Sequence, residues 1–300
     1  MNQSDLVSKL DAFFQVEAFD ESAHWAEILS PADLALYQRF ARPEFVAGPW
    51  NGLMLDCTAE IDRVYLVVFP GQAVLDTILA LEVERGAHGA LIFAHHPADF
   101  EEGGRGFLGI SDAQVEDLRE HHISYYCCHA PLDAHPEIST GIALAKALKL
   151  RDWEPFAPSL AGYEGVHGRT GDTTFEQFAE RLAEVTDLPH LRYNQVRFNG
   201  QAVEHVAIIP GGGDQPEYLQ AARELGCDTY VTGQWWPRGQ YDYAARQRET
   251  LRALVPALPM NLLGSSHYAS EMVVLRDLLP GWFRSAGIEA RFIRQPNPWR

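Results

Sequence analysis

Three short stretches of this chain carry side chains of the types that bind transition metals. They are the adjacent pair His95-His96, His129 with Asp133 four residues on, and His267 with Glu271 four residues on. Imidazole is the commonest metal ligand, and carboxylate completes a mixed N/O set that suits zinc, iron or manganese and disfavours copper(I). The three groups supply four imidazoles and two carboxylates. That is about what two divalent transition metal ions need, with positions left open for water. One carboxylate bridging two ions about 3.5–4 Å apart is usual in such sites, and the ions bring bound water to a pKa of about 7. The chemistry on offer is metal-assisted hydrolysis.

Taken singly, each group has a plainer reading. His95 and His96 read equally well as loop histidines, His129 as a core histidine, Asp133 as a turn former after Pro131, and Glu271 as an acid favoured by a helix dipole. Position ties them together. Each follows an apolar run at the point where the run stops, and open α/β sheets gather ligands outside the carboxyl ends of their strands. His121, His122, His135, His167, His190 and His205 show no such clustering and read as surface or core residues. No residue outside the six is singled out as catalytic.

The elements that must position these groups follow from the apolar pattern. The run 89–94 reads as a buried strand, and Pro97 ends its pairing while biasing His96 toward extended backbone. The run 64–69 is a strand covered on both faces, 72–86 a helix ending near Gly86, 101–106 a polar glycine-rich loop, and Ser111 the start of another helix. The strand 123–128 leads into His129, and a helix over 138–149 closes the block. Such βα units predict a parallel sheet with right-handed crossovers.

Before this block, residues 1–48 read as helical, with Leu6, Leu10, Phe13 and Phe14 at helical spacing and a second helix opening at Ser30-Pro31. Packing or an oligomer contact is the expected role. Around 151–161 the composition turns to Trp, Pro and charge, which predicts a domain boundary. A second block follows: a short strand near Val166, a helix over 174–186, strands near 191–197 and 203–209, a helix over 215–225 and a strand at 229–232. Its Gly211-Gly212-Gly213 triplet lacks the lysine and serine of a P-loop and reads as a tight turn before an anion cradle. The last strand, 258–263, precedes Ser266, which caps a helix running to Leu279 and sets His267 and Glu271 on one face of its first turn.

Composition narrows the classes. The 300 residues are 46% hydrophobic, enough for a full core in one or two domains. A formal net charge of −17, from 41 acidic against 24 basic residues, argues against nucleic acid as a partner. Cys57, Cys127, Cys128 and Cys227 form no C-x-x-C pair, which fits a reducing compartment, and Cys127 and Cys128 read as core. With no signal-peptide h-region and no long apolar run, a soluble cytoplasmic protein that engages no membrane is expected.

In combination the motifs Asn51-Gly52-Leu53, His95-His96-Pro97, His129-x-x-Leu132-Asp133 and Gly264-x-x-His267-Tyr268-Ala269-x-Glu271 resemble the Nif-three-like dinuclear-metal family, labelled GTP cyclohydrolase I type 2 homologues. The resemblance covers roughly residues 50–280. It implies a toroidal homohexamer of subunits with two α/β domains. Residues 1–150 with 258–300 would form the metal domain and 151–257 the second, with two metals held by His95, His96, His129, Asp133, His267 and Glu271. The chain departs from the pattern in its helical segment before residue 50, longer than the family's, and in two further places. Pro131 stands where the family usually has Asn, and 233–238 lacks the family's histidine. The function implied is a metal-dependent hydrolase of an unknown small-molecule substrate, a nucleotide or other phosphorylated metabolite among the options. The alternative is a non-enzymatic metal-binding chaperone or an interaction scaffold.

Overall fold

Alternate residues of Arg63–Val67 face two different cores: Val64 and Leu66 look inward to one, Tyr65 and Val67 outward to another. Side chains alternate across a strand, and both faces of this one are covered, as its unbroken apolar run requires. The computed structural model describes all residues except 87–88, 172–173, 192–195, 238–241, 297 and 300. In chain order the strands are β1 (Gly52–Leu55), β2 (Arg63–Val67), β3 (Ala90–Ala94), β4 (Asp99–Glu101), β5 (Gly106–Leu108), β6 (Ile123–Cys127), β7 (Arg151–Ser159), β8 (Gly162–Arg169), β9 (Val196–Arg197), β10 (His205–Ile209), β11 (Thr229–Thr232), β12 (Asn261–Gly264) and β13 (Glu289–Phe292). The first sheet has the order β1-β6-β3-β2-β13, parallel except for β1 at its edge. The second has the order β7-β8-β10-β11-β12-β9, with a parallel centre and antiparallel flanks. β4 and β5 make a separate hairpin.

The helices are α1 (Gln3–Phe14), α2 (Ser22–Ile28), α3 (Pro31–Phe40), α4 (Pro43–Val46), α5 (Gln72–Arg85), α6 (Asp112–Glu120), α7 (Ala130–Asp133), α8 (Thr140–Ala147), α9 (Phe175–Val185), α10 (Pro216–Glu224), α11 (Asp242–Leu254), α12 (His267–Asp277) and α13 (Leu279–Ser285). α8 and α12 lie between the sheets. Ile142 and Leu144, with Met272, Val273 and Val274, share one core with Leu66 and Phe93 of the first sheet and Val206 and Leu263 of the second. Residues His267–Leu275 of α12 are all buried, so this helix is enclosed nearly all round, with the polar residues His267, Ser270 and Glu271 gathered in its first turns. The first sheet's outer face is covered by Trp25, Tyr37 and Phe40 from the N-terminal helices, together with α5 and α6. No helix among the described residues is long and apolar enough to cross a membrane.

Caps set several boundaries where the sequence places them. Ser30, Ser111 and Ser266 each accept a backbone N–H from the first turn of their helix, and Gly86 ends α5 in the left-handed region at φ 58°. α12 ends at Asp277, and Pro280 lies in the first turn of α13, where its missing N–H leaves no helix bond unmade.

The structure bears on four of the expected features. Residues 151–161, the expected place of a domain boundary, hold the first strand of the second sheet, since β7 pairs antiparallel with β8. Its Pro155 and Pro158 are tolerated because β7 is an edge strand. Segment 258–300, expected whole in the first domain, divides, since β12 pairs with β11 in the second sheet while β13 pairs with β2 in the first. The second sheet is mixed, because β8 runs against β10. The strand near 191–197 falls partly outside the described residues, and Val196–Arg197 of it pairs with β12.

Candidate metal centre

β3 ends at Ala94, and the backbone N–H groups of His95 and His96 still bond the carbonyls of Val67 and Val68. The sheet therefore fixes both residues while their rings leave it. His95 Nδ1 lies 3.0 Å from the Cys128 carbonyl, and a protonated Nδ1 donates to it. That leaves the Nε2 lone pair facing inward, where this buried nitrogen has no hydrogen-bond partner and lies 3.5 Å from both Asp133 Oδ1 and Glu271 Oε1. His96 stacks on Phe69 with ring centroids 4.3 Å apart, and its Nε2 is 2.9 Å from Glu271 Oε2.

His129 follows β6 as the N-cap residue of α7. Its Nδ1 sits 2.5 Å from Glu21 Oε1. Glu21 Oε2 accepts from Asn51 Nδ2 at 2.7 Å and from the Ala130 N–H at 3.0 Å, while Asn51 Oδ1 accepts the His129 N–H at 2.7 Å. Asn51 thus ties the residue before α2 to the strand end that carries His129, which gives the Asn51-Gly52 motif its physical sense. Asp133 closes α7, and its Oδ1 accepts from Thr140 Oγ1 at 2.6 Å.

From the second sheet, α12 brings His267 Nε2 to 3.1 Å from Glu271 Oε1. Glu271 therefore meets His95 and His267 with one oxygen and His96 with the other. Two glycines make room. A Cβ on Gly211, whose φ is +69°, would lie 2.0 Å from Glu271 Oε1, and one on Gly233 would lie 2.6 Å from the Gly211 carbonyl. The Gly211 N–H is taken by Ser270 Oγ and the Gly213 N–H by Thr232 Oγ1. These two donors of the triplet are spent inside the protein, which supports the tight turn. Where the family histidine is missing, Gln234 stands beside His267 with Nε2 3.1 Å from Nδ1, and its Oε1 is buried without a partner. With the amide turned over, that oxygen accepts from Nδ1–H and frees the Nε2 lone pair.

Charge follows the geometry. Burial pushes His129 down, but the charge and hydrogen bond of Glu21 outweigh it and lift His129 to about 10. Burial likewise raises Glu21, which His129 nevertheless holds at about 2. Burial dominates for His96 and drops it well below its ordinary value, whereas Asp133 and Glu271 outweigh burial at His95 and raise it. Burial opposes ionisation of Glu271, yet His267, His96 and His95 hold it well below the carboxylate range. The buried Cys127 and Cys128 thiols are pushed well above theirs, and a core role fits both.

All six residues chosen from the sequence meet here. His95, His96 and His129 form one group whose ligand atoms lie within 4.8 Å of one another, and His96, His267 and Glu271 form another. Asp133 joins through His95. Atoms bound to one ion at about 2.1 Å lie about 3–3.5 Å apart, which is the spacing around Glu271. A cavity of about 430 Å³ opens beside the centre between the sheets. Asp20, Glu21, His24, Glu164, Asp214 and Tyr218 line it alongside five of the six, with His95 buried behind them. Sequence reasoning missed Glu21, His24, Glu164 and Asp214, and the segment before residue 50 walls the site besides packing.

Two α/β sheets with a histidine–carboxylate cluster at their facing strand ends define the class of fold and site. The model of the Duf34/NIF3 (NGG1p interacting factor 3) family matches residues 36–298, and the chain belongs to that family. The matched span contains all six residues but begins after Glu21. A Pyrococcus horikoshii protein called GTP cyclohydrolase 1 type 2 homolog is 27% identical over 305 residues, covering 99% of each chain. A Haemophilus influenzae protein of the same name is 23% identical, covering 83% of this chain and 90% of its own. Among solved structures, TTHA1606 from Thermus thermophilus superposes with a TM-score of 0.63 at 21% identity, covering 99% of both chains. Reduced HcgD from Methanocaldococcus jannaschii gives 0.61 at 18% identity, covering 98% of both. These likenesses show the fold.

Proposed function

We propose that the protein holds two divalent transition metal ions on His95, His96, His129, Asp133, His267 and Glu271 and uses them to hydrolyse a small molecule. The observation that carries the reading is the orphaned, fully buried Nε2 of His95, aimed at two carboxylates at ligand spacing. A buried donor or acceptor without a partner costs about 1–3 kcal/mol, and an ion there removes the cost. Glu21 and the Cys128 carbonyl act from behind, fixing the tautomers of His129 and His95 as outer partners of metal ligands do. Bound ions of this kind polarise a substrate oxygen and acidify water.

The chain's own groups do the rest. Asp214 and Glu164, each pushed up to about 7 chiefly by burial, face the cavity and suit proton transfer near neutral pH. Six carboxylates line the cavity and, among the described residues, no lysine or arginine does. A neutral or cationic substrate fits that lining better than a polyphosphate. The open cavity favours an enzyme over a metal-storage protein. The family's ring assembly belongs to the same reading, and light scattering showing a stable monomer would remove it.

Elemental analysis after reloading tests the centre: about two ions per chain are expected, and fewer than one for every metal tried refutes it. Cyclic amides, nucleotides and phosphate esters then form the screen. If the loaded protein turns over nothing faster than Glu271→Gln, the hydrolase reading fails and a metal chaperone or scaffold replaces it.

A further inference from the structure

We propose that His167, His205 and Cys227 form a separate metal site with two imidazoles and one thiolate, suited to zinc, at the end of the second sheet away from the first centre. Three elements bring these residues together: β8 carries His167, β10 begins with His205, and Cys227 precedes β11. Their ligand atoms lie within 4.8 Å of one another, and His167 Nδ1 is 3.0 Å from His205 Nε2. His205 and Cys227 are buried and His167 is half-buried. The cluster thus has a closed side and a side open to solvent. Three protein ligands with water in the fourth position is a common zinc arrangement.

The surroundings favour the form a metal needs. Burial lowers both imidazoles below their ordinary value, against the Glu154 charge at His167 and with the Arg169 charge at both, which favours neutral rings. The hydrogen bond between His167 Nδ1 and His205 Nε2 gives way when an ion takes their lone pairs. The His205 ring also bonds the Gly226 backbone, the kind of outer partner that orients a ligating imidazole. Burial chiefly pushes the Cys227 thiol up to about 12, which keeps it protonated and inert without an ion. Binding breaks the S–H bond, forms the S–metal bond and releases one proton to solvent, with no change of oxidation state. The six-residue centre contains no thiolate, so sulfur chemistry distinguishes the two sites.

The test is cobalt(II) loading of the full chain, read by absorbance and elemental analysis. Wild type and Glu271→Gln should both show the near-ultraviolet thiolate-to-cobalt band. Cys227→Ser should lose it together with one ion per chain. His167→Asn, altered at a partly exposed position where folding is least at risk, should bind that ion at least about tenfold more weakly. Absence of the band in wild type, its survival in Cys227→Ser, or unchanged affinity in His167→Asn would each overturn the proposal.

Discussion

Glu21 and His129 are 108 residues apart in sequence, yet the Glu21 carboxylate lies 2.5 Å from His129 Nδ1. The second Glu21 oxygen accepts from Asn51 and from the Ala130 N–H. A carboxylate alone satisfies this pattern, because every neighbour is a donor. In Glu21→Gln one amide end must face a donor, and His129 loses its tautomer and its aim. Metal affinity should fall about 10–100-fold, as for other outer partners of a ligating histidine. Competition against a chelator measures it, and unchanged affinity would show that Glu21 serves only packing.

Gly211 and Gly86 both have positive φ, +69° and +58°. An added Cβ costs each about 1–2 kcal/mol from backbone conformation. They differ in what that Cβ meets: Glu271 Oε1 at 2.0 Å for Gly211, and nothing within 4 Å for Gly86. Gly211→Ala should displace Glu271 and lower the metal count, while Gly86→Ala should lower the unfolding temperature alone. Equal metal counts in the two variants would contradict the crowding at Glu271.

Glu102 sits in the turn of the β4–β5 hairpin and accepts from Ser266 Oγ, which holds Ser266 at φ 70° as it caps α12. Burial raises the Glu102 carboxyl from 4.5 to about 7, against the lowering influence of Ser266 and His267. The folded state thus favours the protonated acid. Its contribution is complete below about pH 4.5 and is lost as pH rises to about 7, a change on the order of 3 kcal/mol. Glu102→Gln cannot ionise and still accepts from Ser266. Thermal unfolding from pH 5 to 8 should show wild type losing stability relative to the variant. Parallel curves would mean that Glu102 ionises freely in the fold.

The parts of this molecule legible in the sequence are those written locally. β3 is an unbroken apolar run, β2 is one after Arg63 and β6 is one but for Ser124, and Ser30, Ser111 and Ser266 announce their helices through one side chain each. The six residues of the centre were legible because each group directly follows such a run. What stayed hidden depends on distant contacts or on edges. β13 alternates exposed and half-buried residues and carries no apolar run. β7 holds two prolines that a central strand would exclude. Glu21 has no local signal, because its meaning lies in Asn51 and His129. His167, His205 and Cys227 come from three elements whose register alone brings them together.

Asp214 is the carboxylate whose position best separates metal binding from turnover. It lines the cavity at 9% exposure and stands two residues beyond Gly212, outside the group that surrounds Glu271. Burial pushes it up to about 7, with His267 pulling the other way. As a proton acceptor it works only when ionised, so turnover should rise with pH through about 7 and level off above it. Asp214→Asn keeps the size and abolishes the titration. The variant should hold the wild-type number of ions, unfold at the wild-type temperature or slightly above, and lose about 10²–10⁴-fold in turnover on the substrate that the screen yields. The rising limb near pH 7 should vanish with it. A variant that keeps both its rate and that limb would move the proton transfer elsewhere, and Glu164, across the same cavity, is the next group to change.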